Sequence, residues 1–472
     1  MSKGPAMNAV PRLRALRLVA PALLLALVAS PAGAAPPPEN VATTGGGPGA
    51  VVEWNEIAGD VALAACLAPA ADPPHEARMY AMMHLAVHDA LNTIDRRYER
   101  YVPGRGTEPD ASPEAAVAAA ARAVLVAVAG QVLDPIGPDC AAAGVDVAEQ
   151  AYAERIGAVP DGRAKSAGIA VGEAAAATML ALRADDGAPT TLLDPSYPQG
   201  TEPGQWRFTP GFDVAALPGW GQVRPFLMTR ELSYPRAYRP YPLTSRRYAT
   251  DVDEVQRLGG DGTTTPSART PEQTQVALFW VESSPLQWNR VARTLAQDAR
   301  LDLWESARMF ALLDVALSDA YVDAFRVKYE LKFWRPVTAI REAETDGNPA
   351  TTADPTWTPL VVTPPIPDQY SGHAAEGAAA VEVLRRVLGT DRLAFSTCSL
   401  TLSEGQRCDD PTPVLRSYER LSQASAENGE SRILVGFHFR HAVDDGLAAG
   451  TVIGRDTVQG ALRPLHRAQG PR

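Results

Sequence analysis

Seven residues in three short segments have the side chains to hold and work on an anion. The first segment carries Lys328 and Arg335, the second is Ser371-Gly372-His373, and the third carries Arg432 and His438. Lysine and arginine bring positive charge and several N–H donors, which suit the oxygens of a phosphate-like anion. A serine hydroxyl and a backbone N–H at a helix start add neutral donors. Unpaired N–H groups and the positive end of the helix dipole already face outward there. Of the two imidazoles, one can attack or coordinate the central atom, and the other can move protons at the apical oxygen. Each segment alone also has an ordinary reading: a capped helix with an exposed His, or a pair of surface cations. Collected, they specify a tetrahedral-oxyanion site.

The spacing constrains the elements that must position these groups. Ser371 reads as the N-cap of an Ala-rich helix that ends near Gly389. Lys328 and Arg335 fall at the end of a long helix expected over residues 302–334. Seven steps of about 100° return almost to the same face, so both cations can point one way. Pro336 restricts Arg335 and is expected to end that helix. Phe333 and Trp334 lie between the cations and argue against a freely solvated helix end. Arg432 and His438 are six apart, which is wrong for one helix face, so a break near Gly436 is needed to turn both inward.

The rest of the chain reads as mostly helical. Periodic, Ala-rich runs predict helices opening at Trp54 and over 77–98, 113–131, 141–157, 163–185, 270–282, 288–299 and 443–463. Residues 187–247 are dense in proline and aromatics and lose that periodicity, and are expected to wrap the helical body, with a wall of a substrate channel as one use. Strand patterns are absent apart from a candidate hairpin near Cys398–Cys408. The fold class is all-α: a large helical bundle with a long irregular Pro-rich wrap. His84 and His88 share a helix face at a metal-binding spacing, but no third ligand accompanies them, so they read as packing residues.

Composition bounds the remaining possibilities. The chain has 472 residues, 46% of them hydrophobic and 21% charged, enough for a large core. Lys3, Arg12, Arg14 and Arg17 precede an apolar run from Leu18 to Ser30, followed by Ala32-Gly33-Ala34. This reads as a secretory signal peptide over 1–34, cleaved near Ala34; the competing reading is a membrane anchor. Residues 35–52 read as a flexible linker, and 53–465 as a single helical domain. The formal charge of −11 disfavours a nucleic-acid partner. No other apolar run is long enough for an integral membrane domain. Four cysteines in an exported chain allow two disulfides. Cys398 and Cys408 flank a short polar loop and pair first, which leaves Cys66 for Cys140.

Taken in order, Lys328-x6-Arg335-Pro336, Ser371-Gly372-His373 and Ser431-Arg432-x5-His438 resemble the three-part signature of the vanadium-dependent haloperoxidases and type-2 phosphatidic acid phosphatases. Phe333-Trp334 and the run from Asp346 through Trp357 to Thr363-Pro364-Pro365-Ile366-Pro367 resemble the soluble haloperoxidase branch. The resemblance covers roughly residues 54–460 and implies an all-helical bundle with the cofactor site at one end. It implies that Lys328, Arg335, Ser371, Gly372 and Arg432 bind vanadate oxygens, that His438 is the axial metal ligand, and that His373 is the general acid–base. Hydrogen peroxide, a halide and a small organic substrate are the implied partners; the oligomeric state is left open. Three positions depart from the pattern. Tyr370 stands where the signature usually has Pro, and Ile366 where fungal chloroperoxidases carry an aromatic. Ala442 stands where many members have an Asp that orients the imidazole; Asp444, Asp445 or a backbone carbonyl are the candidates to replace it.

The expected function is therefore a secreted or periplasmic vanadate-dependent haloperoxidase. An exported acid phosphatase, with His438 as phosphorylated nucleophile and phosphate in the same site, is the alternative. A non-catalytic phosphate-binding protein is the third reading, disfavoured because both imidazoles are retained. N-terminal sequencing of exported material should find a start between about residues 33 and 37; an intact Met1 on cytoplasmic material would contradict export.

Overall fold

Asp302 and Glu305 cap one another's backbone and start a helix of 29 residues, α9 (Leu303–Leu331). From Ser306 to Tyr329 this helix is buried on nearly every side, which is the pattern of a helix at the centre of a bundle rather than on its surface. The computed structural model describes residues 49–104, 106–132, 139–228 and 238–465. The segment read as a signal peptide lies outside them.

α1 (Gly49–Ala64) and α2 (Pro73–Ile94) pack on α9, and α3 (Pro113–Ala129), α4 (Cys140–Ala158) and α5 (Arg163–Arg183) pack in turn on α1 and α2. Then come α6 (Arg246–Leu258), α7 (Pro271–Phe279), α8 (Ser284–Asp298), α10 (Pro336–Arg341), α11 (Gly372–Val387), α12 (Leu421–Leu434) and α13 (Arg440–Gly460). Among the described residues the fold is all-α apart from two small antiparallel pairs. Leu193–Asp194 pairs with Ala215–Ala216, and Phe395–Thr397 with Arg416–Tyr418. The second pair flanks the Cys398–Cys408 disulfide, and Cys66–Cys140 forms the other bridge. The first turn of α1 takes in residues 49–52 of the segment read as a linker. The helices α6, α10 and α12 had no counterpart in the sequence reading.

The long Pro-rich stretch packs on the central helix. Trp206, Leu217, Trp220 and Val223 form one apolar cluster with Tyr321, Val322, Phe325 and Tyr329 of α9. Its backbone also ties down the chain after α9. Trp206 N–H donates to Lys332 O at 2.7 Å, Trp334 N–H to Gly204 O at 3.0 Å, and Ala216 N–H to Pro365 O at 2.9 Å. His84 and His88 are core groups. His84 Nε2 lies 2.9 Å from Asn55 Nδ2 and its ring stacks on Phe310, while His88 pairs with Asp89 and Asn92.

Two helices meet at unusually close range. Gly446, Gly450 and Gly454 form a stripe on α13, four residues apart, that faces α11. A Cβ on Gly446 would stand 2.5 Å from Ser371 O, and one on Gly454 would stand 2.5 Å from Ala379 O. Only a hydrogen in place of each side chain lets the two backbones touch, and this contact fixes where the α11 N-terminus sits. Gly450→Ala would place a Cβ 1.9 Å from Ala375 O. It is expected to destabilise the fold by about 1–3 kcal/mol through overpacking. Gly157→Ala on α4, where nothing lies within 4 Å of the new Cβ, should leave thermal stability unchanged or slightly raised. Melting curves of the two variants check this.

Candidate functional site

The first segment reaches the site differently from the sequence expectation. α9 ends at Leu331, because Lys332 adopts the left-handed conformation with φ 48°. Phe333 and Trp334 then run between the helices, and Arg335 is the N-cap of α10, with Pro336 at the start of that helix. Pro336 therefore opens a helix instead of ending one, a role its missing N–H and fixed φ suit. Lys328 and Arg335 do not share a helix face, yet they converge. Lys328 Nζ donates to Pro367 O at 3.1 Å and Asp368 O at 2.8 Å, and Arg335 Nε donates to Ile366 O at 2.7 Å. Both cations thus grip the loop that leads into Ser371.

That loop is held from several sides. Tyr370 is buried and its hydroxyl donates to Asp323 Oδ2 at 2.6 Å, and the Gln369–Tyr370 peptide is cis. Gln369 Nε2 donates to Asp445 Oδ2 at 2.5 Å, and Ser371 N–H donates to Ala442 O at 2.9 Å. Ser371 opens α11 but makes no side-chain cap. Its buried hydroxyl has no hydrogen-bond partner among the described residues, so it remains free to donate to a ligand. His373 Nε2 lies 3.2 Å from Glu282 O, and Asn428 Nδ2 donates to His373 O at 3.0 Å. His373 is half-buried, with 22% of its side chain accessible.

The third segment breaks where the spacing required. α12 ends at Leu434, Gly436 takes φ +86°, and α13 begins at Arg440. Phe437 and His438 N–H both donate back to Arg432 O, at 3.0 and 3.2 Å. This tight turn puts Arg432 and His438 together, both buried. Arg335 Nη1 lies 3.0 Å from His438 Nε2 and 3.3 Å from Nδ1. Arg432 Nη2 is buried without a hydrogen-bond partner among the described residues.

The electrostatics of this cluster are those of a site in which buried positive charge predominates. Burial lowers the Lys328 ammonium well below its ordinary value, and neighbouring Arg335 lowers it further. Burial also brings Arg335 down to about 10 and Arg432 to about 9. His438 is pushed well below the ordinary imidazole value by burial, then by Arg335, Lys328, Arg432 and His373. His373 is lowered by burial and by Arg432. Both rings are therefore neutral near pH 7, with lone pairs available. A tetrahedral oxyanion supplies what the cluster lacks: negative charge between three cations, and acceptors for Ser371 and Arg432.

Sequence reasoning missed two carboxylates. Asp368 is fully buried in the loop before Ser371, with Oδ1 2.8 Å from His438 Nδ1 and 3.8 Å from Arg335 Nη1. Burial raises it to about 7 against the pull of Arg335 and Lys328. Asp444 and Asp445 do not take this place: Asp444 is exposed, and Asp445 lies 3.3 Å from His441 Nε2. Glu376 is buried one turn into α11, with Oε2 4.0 Å from His373 Nδ1. Its three-residue spacing from His373 was the available signal.

Residues 308–467 match the family model of the VCPO second helical-bundle domain. The chain is 26% identical to the vanadium chloroperoxidase of Curvularia inaequalis, over 79% of this chain and 75% of that protein. Its fold is similar to that of the first bacterial vanadium-dependent iodoperoxidase, with TM-score 0.71 at 20% identity over 90% of this chain and 99% of that one. A holo-type bacterial vanadium-dependent chloroperoxidase gives TM-score 0.64 at 18% identity, over 86% of this chain and 95% of that one. The resemblance drawn from the three segments thus holds, on its haloperoxidase side.

Burial raises the Glu376 carboxyl from 4.5 to about 7. Between those values the folded state holds more protons than the unfolded state, so this group's contribution to stability falls as pH rises. The loss by pH 8 is on the order of 3 kcal/mol. Glu376→Gln removes it, so in oxyanion-free buffer the melting-temperature difference between variant and wild type should grow in the variant's favour from pH 5 to pH 8. A difference that stays constant would contradict the assignment.

Proposed function

We propose, from a chain that resembles the vanadium-dependent haloperoxidases in fold and in the order of its site segments, that it is an exported vanadate-dependent haloperoxidase. Its substrates would be hydrogen peroxide and a halide, with hypohalous acid as product. The carrying observation is the convergence of three buried, mutually repelling cations on a neutral His438 and an unpartnered Ser371 hydroxyl. A non-catalytic phosphate-binding reading does not account for an imidazole turned into that cluster. The two disulfides and the signal-like N-terminus support export.

Lys328, Arg335 and Arg432 would neutralise the oxygens of bound vanadate, and Ser371 Oγ and the Gly372 N–H would donate to them. His438 would be the ligand, because it alone of the set presents a neutral nitrogen amid the cations. Bound there, vanadate supplies a Lewis-acid centre that makes a peroxide oxygen electrophilic toward halide. His373, neutral and partly accessible, would take a proton from arriving peroxide and return one as product leaves. The runner-up is an exported acid phosphatase in which phosphate takes the same donors and His438 attacks phosphorus. The relatives favour the first reading, since those compared are vanadium peroxidases.

Vanadate affinity and bromide oxidation measured side by side separate the roles. His438→Ala should lose both. His373→Ala should still bind vanadate while turnover falls by about 10²–10⁴-fold. Lys328→Ala should weaken binding without abolishing it. Wild-type protein that ignores vanadate yet hydrolyses a phosphomonoester would move the assignment to the phosphatase reading.

A further inference from the structure

His438 lies at the end of a tight turn, and its ring could present either nitrogen to a ligand. Ala442, one turn further along the chain, has no polar side chain to decide between them. Asp368 can. Its Oδ1 lies 2.8 Å from His438 Nδ1, at ion-pair range though out of line for a hydrogen bond in this ring orientation; its other side-chain neighbour at ion-pair range is Arg335, at 3.8 Å, whose Nη1 lies 3.0 Å from His438 Nε2. It comes from a different segment, seventy residues earlier in the chain. The backbone that carries it is fixed: Asp368 N–H donates to Phe333 O at 2.9 Å, and Lys328 Nζ holds Asp368 O at 2.8 Å.

We propose that Asp368 is the positioning residue for His438: it holds the proton on Nδ1 and thereby presents a bare Nε2 to the bound oxyanion. The argument rests on the haloperoxidase reading for the identity of that oxyanion. A carboxylate on the far nitrogen of a metal-binding imidazole fixes both tautomer and ring orientation and raises the basicity of the ligating nitrogen. Asp368 achieves this from the loop that also carries Ser371. Lys328 and Arg335 grip the same loop, so ligand, hydroxyl donor and two cations are positioned by one segment.

A carboxylate beside an anion site also has an electrostatic cost, and this makes the proposal testable. An anion held only by the cations and hydrogen-bond donors should bind as well or better when Asp368 loses its charge. An anion bonded to His438 should bind worse. Two isotope-edited measurements and two titrations decide it, on Asp368→Ala, the isosteric Asp368→Asn, and Asp368→Ala combined with Ala442→Asp. In wild-type protein without ligand, ¹⁵N spectra of His438 should show the proton on Nδ1. Asp368→Ala should shift that population toward Nε2–H. By calorimetry, orthovanadate affinity should fall by about 10–100-fold in Asp368→Ala, less in Asp368→Asn, and recover in part with Ala442→Asp. Inorganic phosphate affinity should hold or rise in the same proteins. A wild-type His438 protonated on Nε2 would overturn the proposal whether or not vanadate binds. Equal vanadate affinity in wild type and Asp368→Ala, or parallel loss of vanadate and phosphate binding in both single variants, would also overturn it. Wild-type protein that does not bind vanadate would instead overturn the cofactor reading, and the tautomer would still decide the role of Asp368.

Discussion

Three positive charges buried within one cluster are the constraint on which the site depends. Lys328, Arg335 and Arg432 are each about 1% exposed, and each is depressed by burial before any other cause. Removing a charge from water costs several kcal/mol even after relaxation, and like charges nearby add to that cost. Asp368 and Glu376 offset part of it, but burial raises both carboxyls to about 7. A bound anion relieves the remainder. Affinity for an oxyanion and instability of the empty site are therefore two consequences of one arrangement.

The fold supports this arrangement by restricting the segments that carry it. The α13 glycine stripe allows backbone contact with α11, which places Ser371 against Ala442. The Pro-rich wrap, irregular though it is, holds Lys332, Trp334 and Pro365 through its own backbone. The wrap is thus part of the scaffold of the site, as well as cover for the aromatic face of α9.

Much of this was legible in the sequence because local rules and fold agree there. Ala-rich periodic runs became helices, and Gly436 became the break that Arg432 and His438 required. The misreading at Pro336 has a clear physical source. Proline is disfavoured inside a helix but suits its first turn, so it marks a boundary without giving its direction. The residue that ends α9 is Lys332, and a lysine at positive φ carries no flag in a sequence. Asp368 was hidden for another reason. An Asp in a proline-rich loop looks like a turn residue, and its partner His438 is brought to it only by tertiary folding. Ala442 was the one hint, since it left the imidazole in need of an acid from elsewhere.

A crystal structure of the protein grown with orthovanadate tests the central claim most directly. One vanadium is expected at bonding distance from His438 Nε2, its oxygens accepting from Lys328, Arg335, Arg432, Ser371 Oγ and the Gly372 N–H, with Asp368 beside Nδ1. Vanadate absent from this cluster at saturating concentration, or bound elsewhere while Arg432 Nη2 and Ser371 Oγ stay unpartnered, would contradict it.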